Sequence, residues 1–399
     1  MKMVKFNFIK KFDVELDFVK ETGIIYHKIK NFDTKTFLIS FKEKVKIIST
    51  LDGFKKVFYV GNNYISCSLW DFVHMDFERY KRFFYSSLKI PKSKSSFLFT
   101  GRDIETISVH KEIFKDIEIY VFSTVGVKSN ALRIGVDEGK NYQEKDGKFI
   151  KLGTVNIIVL TNMRLTEGAL ASSLINITEA KTSVFQDLDI RSSYTPMKNQ
   201  ATGTGTDNIV FVSGNYGKIT YTQGHSKFGE ILAKSVYISV KDNLKNSGLI
   251  QNRSFLEKLE ERGIKKEDII EAAMEVYIED EKFGNKEKIR KIFENELEKI
   301  SKDVNISLLI IAGLKIEEEA EKENIPNLTY KAYKDDAVFI VSDEIIGKEI
   351  AQYIGGTLAL FEYERIDKIK PGIIKKLPPF LDDIIGGLIA GIMVRIFSK

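Results

Sequence analysis

The chain has 399 residues, more than one ordinary core takes, so two domains are expected. Its 43% hydrophobic and 29% charged content is ordinary for globular protein, and a net charge of +5 spread over many Lys and Glu excludes a concentrated basic nucleic-acid footprint. A single cysteine, Cys67, excludes an internal disulfide framework, and four scattered histidines without cysteine partners at ligand spacing argue against a structural zinc site.

The opening "MKMVKFNFIKKFDVELDF" is broken by charges every few residues, which does not suit a signal peptide. Residues 1 to about 125 alternate β-rich runs with turns: "TKTFLISF", "KVKIIST", "KKVFYV" and "DIEIYVFSTVG". Further strands are expected at 153–162 ("GTVNIIVLTN") and 208–214 ("NIVFVSG"). Helices are expected at 166–188 ("TEGALASSLINITEAKTSVFQDL") and 225–245. The text changes at the polar linker "NSGLIQNRS", after which Glu/Lys-rich amphipathic runs and an apolar, glycine-containing tail leave almost no strand signal. The expected architecture is an α/β (or α+β) domain over 1–246 and an all-α domain over 252–399. The longest apolar stretches, "ISLLIIAGL" and the C-terminal run, fall short of roughly 20 uncharged residues. The expectation is a cytoplasmic protein with no stable membrane insertion and no nucleic-acid partner.

A near-repeat marks the C-terminal domain. "SDEIIGKEIAQYIGG" and "LDDIIGGLIAGI" share acid, acid, Ile, Ile, Gly. On a helix, Glu344 and Gly347 lie three apart on one face, as do Asp383 and Gly386. Glycine lets a second helix approach closely, so two such helices can bring four carboxylates toward one point. Oxygen-only ligands favour Mg²⁺ or Mn²⁺. The alternative is that adjacent acids at helix starts serve only as caps and dipole partners. Between the repeats, "FEYERIDKIKPG" places Arg365, Asp367, Lys368 and Lys370 before Pro371, and cations near acidic ligands suggest a phosphate substrate.

"VSDEIIG", "FEYERIDKIKP" and "LDDIIGGLIAG" together resemble the phosphatidylglycerophosphatase A-like family over roughly 252–399. The resemblance implies an all-α, Mg²⁺-dependent phosphatase. It makes Asp343, Glu344, Asp367, Asp382 and Asp383 metal ligands, with Asp343 and Asp383 catalytic, and Arg365 and Lys370 phosphate binders. The chain departs from the membrane members in its shorter apolar spans and in Ser342, where they carry Trp. Soluble archaeal relatives in that family include α-ribazole phosphatases.

In the N-terminal half, "QATGTGTDNIVFVSG" alternates Gly and Thr before a strand. Such a loop is either a nest of backbone N–H groups for anions and polar oxygens or a turn whose Thr and Asp bond locally. It lacks the Lys of a phosphate-binding P-loop. "STVGVKSNALRIGVD" holds Asn130 and Asp137, the 153–162 strand holds Asn156, the 166–188 helix holds Glu179 and Lys181, and "YTQGHSKFGE" holds His225 at a helix start. These motifs together resemble the adenosylcobinamide amidohydrolase family, strongly over about 120–245. That family hydrolyses the amide joining aminopropanol to adenosylcobinamide, giving adenosylcobyric acid. Such chemistry needs a base, a proton donor and an oxyanion stabiliser. Glu179 and His225 are the candidate acid and base, with Thr178 or a loop Thr as an open nucleophile. Asn130, Asn156, Lys181, Thr202, Gly203, Thr204, Thr206 and Asp207 are candidate substrate contacts, with backbone N–H groups of 203–206 as oxyanion donors. No cofactor is evident for this half.

The two resemblances converge on cobamide metabolism. They imply one chain acting on two small molecules, adenosylcobinamide and α-ribazole 5′-phosphate. A corrinoid binder joined to a phospholipid phosphatase is the alternative.

Overall fold

The computed structural model describes residues 5–138, 155–248, 250, 253–279 and 281–398. Residues 153–154 of the expected 153–162 strand and parts of the 246–252 linker lie outside them. The chain divides into two compact units, Met1–Tyr194 with Gln200–Gln251, and Thr195–Asn199 with Asn252–Lys399.

In the first unit the elements run β1 (Phe8–Lys11), β2 (Val19–Ile29), β3 (Phe32–Ser49), β4 (Gly53–Tyr64), α1 (Trp70–Met75), α2 (Phe77–Leu88), β5 (Ser95–Thr100), β6 (Ser108–Phe114) and β7 (Ile117–Val125). They continue with β8 (Ala131–Leu132), β9 (Val155–Thr161), β10 (Met163–Leu165), α3 (Glu167–Asp187), β11 (Gly203–Thr204), β12 (Asn208–Ser213), β13 (Tyr216–Ile219) and α4 (Lys227–Asn246). Nine strands form one curled mixed sheet, ordered β1-β2-β3-β12-β9-β7-β6, with β4 on β3 and β5 on β4. The expected strands at 34–41 and 44–50 are one strand, β3. Its register against β4 shifts between Ser40 and Val45, so "FKEK" is an irregularity and not a turn. There β3 exchanges β2 for β12 as its second neighbour.

β9 and β12 are parallel and joined through α3, a βαβ unit. Both faces of these strands are buried. Ile157 and Val159 pack under α3 and α4, while Ile158 and Leu160 face the curled-over β2–β5 side. This explains why "VNIIVLT" is apolar without alternation. Local chemistry starts each helix: Thr166 accepts from Ala169 N at 3.2 Å and Ser226 from Gly229 N at 2.9 Å.

The second unit is helical: α5 (Phe255–Glu260), α6 (Lys266–Val276), α7 (Lys286–Ile300), α8 (Val304–Glu321), α9 (Tyr330–Lys334), α10 (Ser342–Gly355), α11 (Leu358–Ile369) and α12 (Pro379–Phe397). An α/β unit is thus followed by an all-α one. α12 is its centre, with every residue from Phe380 to Met393 buried, which is why its sequence is apolar on all sides apart from Asp382 and Asp383. Among the described residues no helix is long and apolar enough to cross a membrane.

Candidate functional site

The near-repeat places its acids as a pair of facing helix starts. Asp343 and Glu344 lie in the first turn of α10, and Asp383 lies near the start of α12. One carboxylate oxygen from each lies within 4.8 Å of the other two. Glycine permits this approach: a Cβ on Gly387 would stand 2.1 Å from the Gly347 carbonyl oxygen, and one on Gly391 2.7 Å from Ile354 Cβ. The close contact is made by Gly387 and not by Gly386, where an added Cβ would meet nothing nearer than 3.7 Å. The reason is angular, because consecutive residues lie about 100° apart around a helix.

Three of the five expected ligand carboxylates converge; Asp367 lies outside the group, and so does Asp382. Its Oδ2 accepts from Lys370 Nζ at 2.6 Å, and Lys370 also stands 3.8 Å from Asp367. Lys370 ends α11 in the left-handed region (φ 45°). Tyr363, not anticipated from the sequence, donates to Asp383 Oδ1 at 2.5 Å. The available signal was its place four residues before Asp367, on the same helix face. Burial pushes Asp382 up to about 6, despite the opposing Lys370 contact. Burial also pushes Asp383 up to about 7, with Asp382 adding to the rise, and holds Asp367 above the usual carboxylate range. Asp343 is raised by burial and then by Glu344 beside it.

Glu344 Oε2 is buried and accepts no hydrogen bond. Converging carboxylates, two buried and Glu344 half-buried, with an unmet oxygen form a donor set that a hard divalent cation fits. Asp343, Glu344 and Asp383 are the residues that would hold it.

Arg365 is not in this group. It donates to Glu362 at 2.6 and 2.9 Å and to the Val276 carbonyl at 3.1 Å, lining a separate cavity of about 570 Å³. In an Arg–x–Asp segment on a helix, the two side chains project about 200° apart.

In the first unit, the Gly/Thr loop closes on itself. Thr204 N donates to Asp207 Oδ1 at 3.0 Å, Gly205 N to the Asn130 carbonyl at 3.2 Å, and Thr206 N to Thr204 Oγ1 at 3.4 Å. Asn130 Nδ2 donates to Thr206 Oγ1 at 3.1 Å. Lys181, buried on α3, pairs with Asp207 Oδ2. A Cβ on Gly203 would lie 2.3 Å from that carboxylate and 2.4 Å from the Lys181 ammonium, so glycine is what lets the pair form. Thr202 Oγ1 accepts from Ile134 N at 3.0 Å, and its carbonyl accepts from Thr182. The locally bonded turn is therefore the conformation seen, and the N–H groups of 204–206 are taken, not open to an oxyanion.

Asn156 is interior. Its amide donates to Asn62 Oδ1 at 2.8 Å and to the Phe99 carbonyl at 3.0 Å, joining β9 to β4 and β5. It is 1% exposed, which removes it from any surface that could hold a substrate arm. Glu179 and His225 are both exposed. Glu179 lies one turn beyond Asn176, which donates to the Thr222 and Gly229 carbonyls at 3.1 and 2.7 Å. The turn carrying His225 is thereby held against the same side of α3. Lys181, two residues from Glu179, faces away toward the loop.

Residues 21–251 match the family model described as adenosylcobinamide amidohydrolase, and residues 298–398 that of phosphatidylglycerophosphatase A. An uncharacterized protein of Methanocaldococcus jannaschii is 45% identical over 222 residues, spanning 53% of this chain and 86% of that protein. A second from that organism is 37% identical over 135 residues, 32% of this chain and 100% of that protein. The solved low temperature requirement C protein from Listeria monocytogenes shares 24% identity, covering 36% of this chain and 92% of its own, with a TM-score of 0.33.

Proposed function

We propose a function from one premise: the chain belongs to the adenosylcobinamide amidohydrolase family, and carries a second, phosphatase-family segment. It is a hydrolase. Our reading is that it cleaves the aminopropanol amide of adenosylcobinamide and dephosphorylates α-ribazole 5′-phosphate with Mg²⁺. The observation that carries the second activity is the convergence of Asp343, Glu344 and Asp383 around an unmet carboxylate oxygen.

A divalent cation held by those three residues would neutralise phosphoryl oxygens and lower the pKa of a bound water. The chain's own groups do the rest. Lys370, poised between Asp382 and Asp367, supplies a cation for the phosphoryl group. Tyr363 fixes the rotamer of Asp383. One of Asp343 and Asp383 takes a proton from the attacking water as its oxygen bonds to phosphorus; the P–O ester bond breaks, and that proton passes to the departing oxygen so that a neutral alcohol leaves.

For the amide, exposed Glu179 and His225 are the proposed base and acid: one takes a proton from water, the other protonates the departing amine. The closed 202–207 loop supports them by setting the position of α3 through Lys181 and Thr182.

A phosphatidylglycerophosphate substrate is the second reading. It is favoured by exposed apolar side chains just before and within α10, with Val338 97% and Phe339 67% exposed. The test incubates the purified chain with adenosylcobinamide, α-ribazole 5′-phosphate and phosphatidylglycerophosphate in separate reactions with Mg²⁺, each followed by mass. Release of aminopropanol and α-ribazole supports the first reading. Turnover of the lipid alone moves the phosphatase to the second, and no aminopropanol release sinks the amidohydrolase reading.

A further inference from the structure

The first turn of α12 carries Asp382 and Asp383 but has no cap of its own. Its N-cap is Pro378, and Pro379 at the next position has no N–H to offer. The amides of Leu381 and Asp382 both donate to the Pro378 carbonyl, at 3.0 and 3.1 Å. The Phe380 N–H is then the first-turn donor that must be met from elsewhere. It donates to Glu317 Oε2 on α8 at 3.1 Å. The other Glu317 oxygen accepts from the Tyr333 hydroxyl on α9. Glu317 is 4% exposed and Tyr333 fully buried. Cations nearby are engaged by other acids: Lys198 and Lys334 pair with Glu321, and Arg262 and Lys315 with Glu318.

A carboxylate this deep needs hydrogen bonds to be tolerated. Glu317 gets them from a phenol and from a helix N-terminus, where the backbone dipole favours a negative charge. The consequence falls on α12. Its first turn is fixed at Phe380 by Glu317, and two turns later by Gly387 against Gly347. Asp383 lies between these points, with α10's Asp343 and Glu344 opposite. Ligand geometry is sensitive to displacements of a few tenths of an ångström.

We propose that Glu317 and Tyr333 are positioning residues for the acid cluster: a cap delivered from α8, locked by α9, that sets where Asp383 stands relative to Asp343 and Glu344. The proposal rests on the cluster being a divalent-cation site.

The test titrates Mn²⁺ and Mg²⁺ into the metal-free full chain by calorimetry, alongside the metal concentration for half-maximal phosphatase activity and thermal melts without metal. Glu317→Ala is expected to weaken Mn²⁺ binding about 10- to 100-fold, and Tyr333→Phe about 10-fold. Glu317→Gln is expected to stay within about 3-fold, since its amide oxygen still accepts from Phe380 and its N–H can donate to the Tyr333 oxygen. Glu319→Ala, exposed on the same helix, is expected to match the wild type. A purely structural role would lower the melting temperature and leave the Mn²⁺ dissociation constant unchanged; a folded Glu317→Ala that binds like wild type overturns the proposal. If Glu317→Ala does not fold, Tyr333→Phe against Glu317→Gln decides in the same way. Wild-type protein that binds neither ion removes the cation-site reading itself, a result distinct from a wild type that binds and variants that do not differ.

Discussion

Two regions, one in each unit, treat polar groups in opposite ways. Around Thr202–Asp207, donors and acceptors find one another: loop amides meet Asp207, Asn130 and Thr204, and Asp207 meets Lys181. At the start of α10 and α12, three carboxylates converge and one buried oxygen is left unmet. The first arrangement closes within the chain and ties α3 to the loop through Lys181 and Thr182. The second leaves a carboxylate oxygen without a donor, the chemistry a cation would complete. Motif density alone does not separate the two cases. What separates them is whether the hydrogen-bond account closes within the chain.

Substitutions can break this contrast, and the largest effect is expected at Asp383. Asp383→Asn removes a ligand oxygen and a charge, and phosphatase kcat/KM is expected to fall on the order of 10³-fold or more. The same change relieves a buried like-charge contact, so the metal-free chain is expected to melt higher; a lower melt together with retained activity would contradict the cluster's role. Glu179→Gln follows, with amide hydrolysis falling about 10²-fold or more and the phosphatase unaffected. Equal loss of both activities would point to a folding defect instead. Lys181→Met leaves Asp207 without its cation. A destabilisation near 3 kcal/mol is expected, at the low end for a broken buried pair because Asp207 keeps 19% exposure. Urea unfolding of the first unit's signal measures it.

A smaller effect comes from pH. Asp382 and Asp383 are raised in the folded chain, to about 6 and about 7, above their unfolded values. Such groups bind more protons folded than unfolded, so stability falls as pH rises from about 4 through about 7. Melts of the metal-free chain at pH 5 and pH 8 should show the lower midpoint at pH 8, and added Mn²⁺ should restore it. A higher midpoint at pH 8 without metal would mean the acids are already compensated. The smallest effect is expected at Arg365. Because it faces Glu362 and Val276, Arg365→Ala is expected to change phosphatase KM by less than about 3-fold, within the range of a partly exposed ion pair.

Much of this was legible in the chain. Periodicity gave α3 over 166–188 against the observed 167–187, and the loss of strand signal after the linker marked the all-α part. The acid–acid–x–x–Gly repeat pointed to Asp343, Glu344, Asp382 and Asp383, of which all but Asp382 converge, because a short motif states its own spacing and a helix converts spacing into a face. Tyr363, Glu317 and Tyr333 were not legible. They act across 20, 63 and 16 residues of chain, on partners no local pattern names.

The sequence by itself determined the class of each half, the helices α3 and α4, the family and the chemical type of each candidate group, because these depend on nearest neighbours and on side-chain identity; it did not show α1 and α2, which lie in a stretch read as strands and turns. Only the tertiary structure decided which groups meet. It turned Arg365 away from the acids, drew Asp382 to Lys370, folded the Gly/Thr loop onto Asp207 and sank Asn156 between β9 and β4. Each outcome depends on the angle at which one element packs on another, and that angle is set by contacts between residues far apart in the chain.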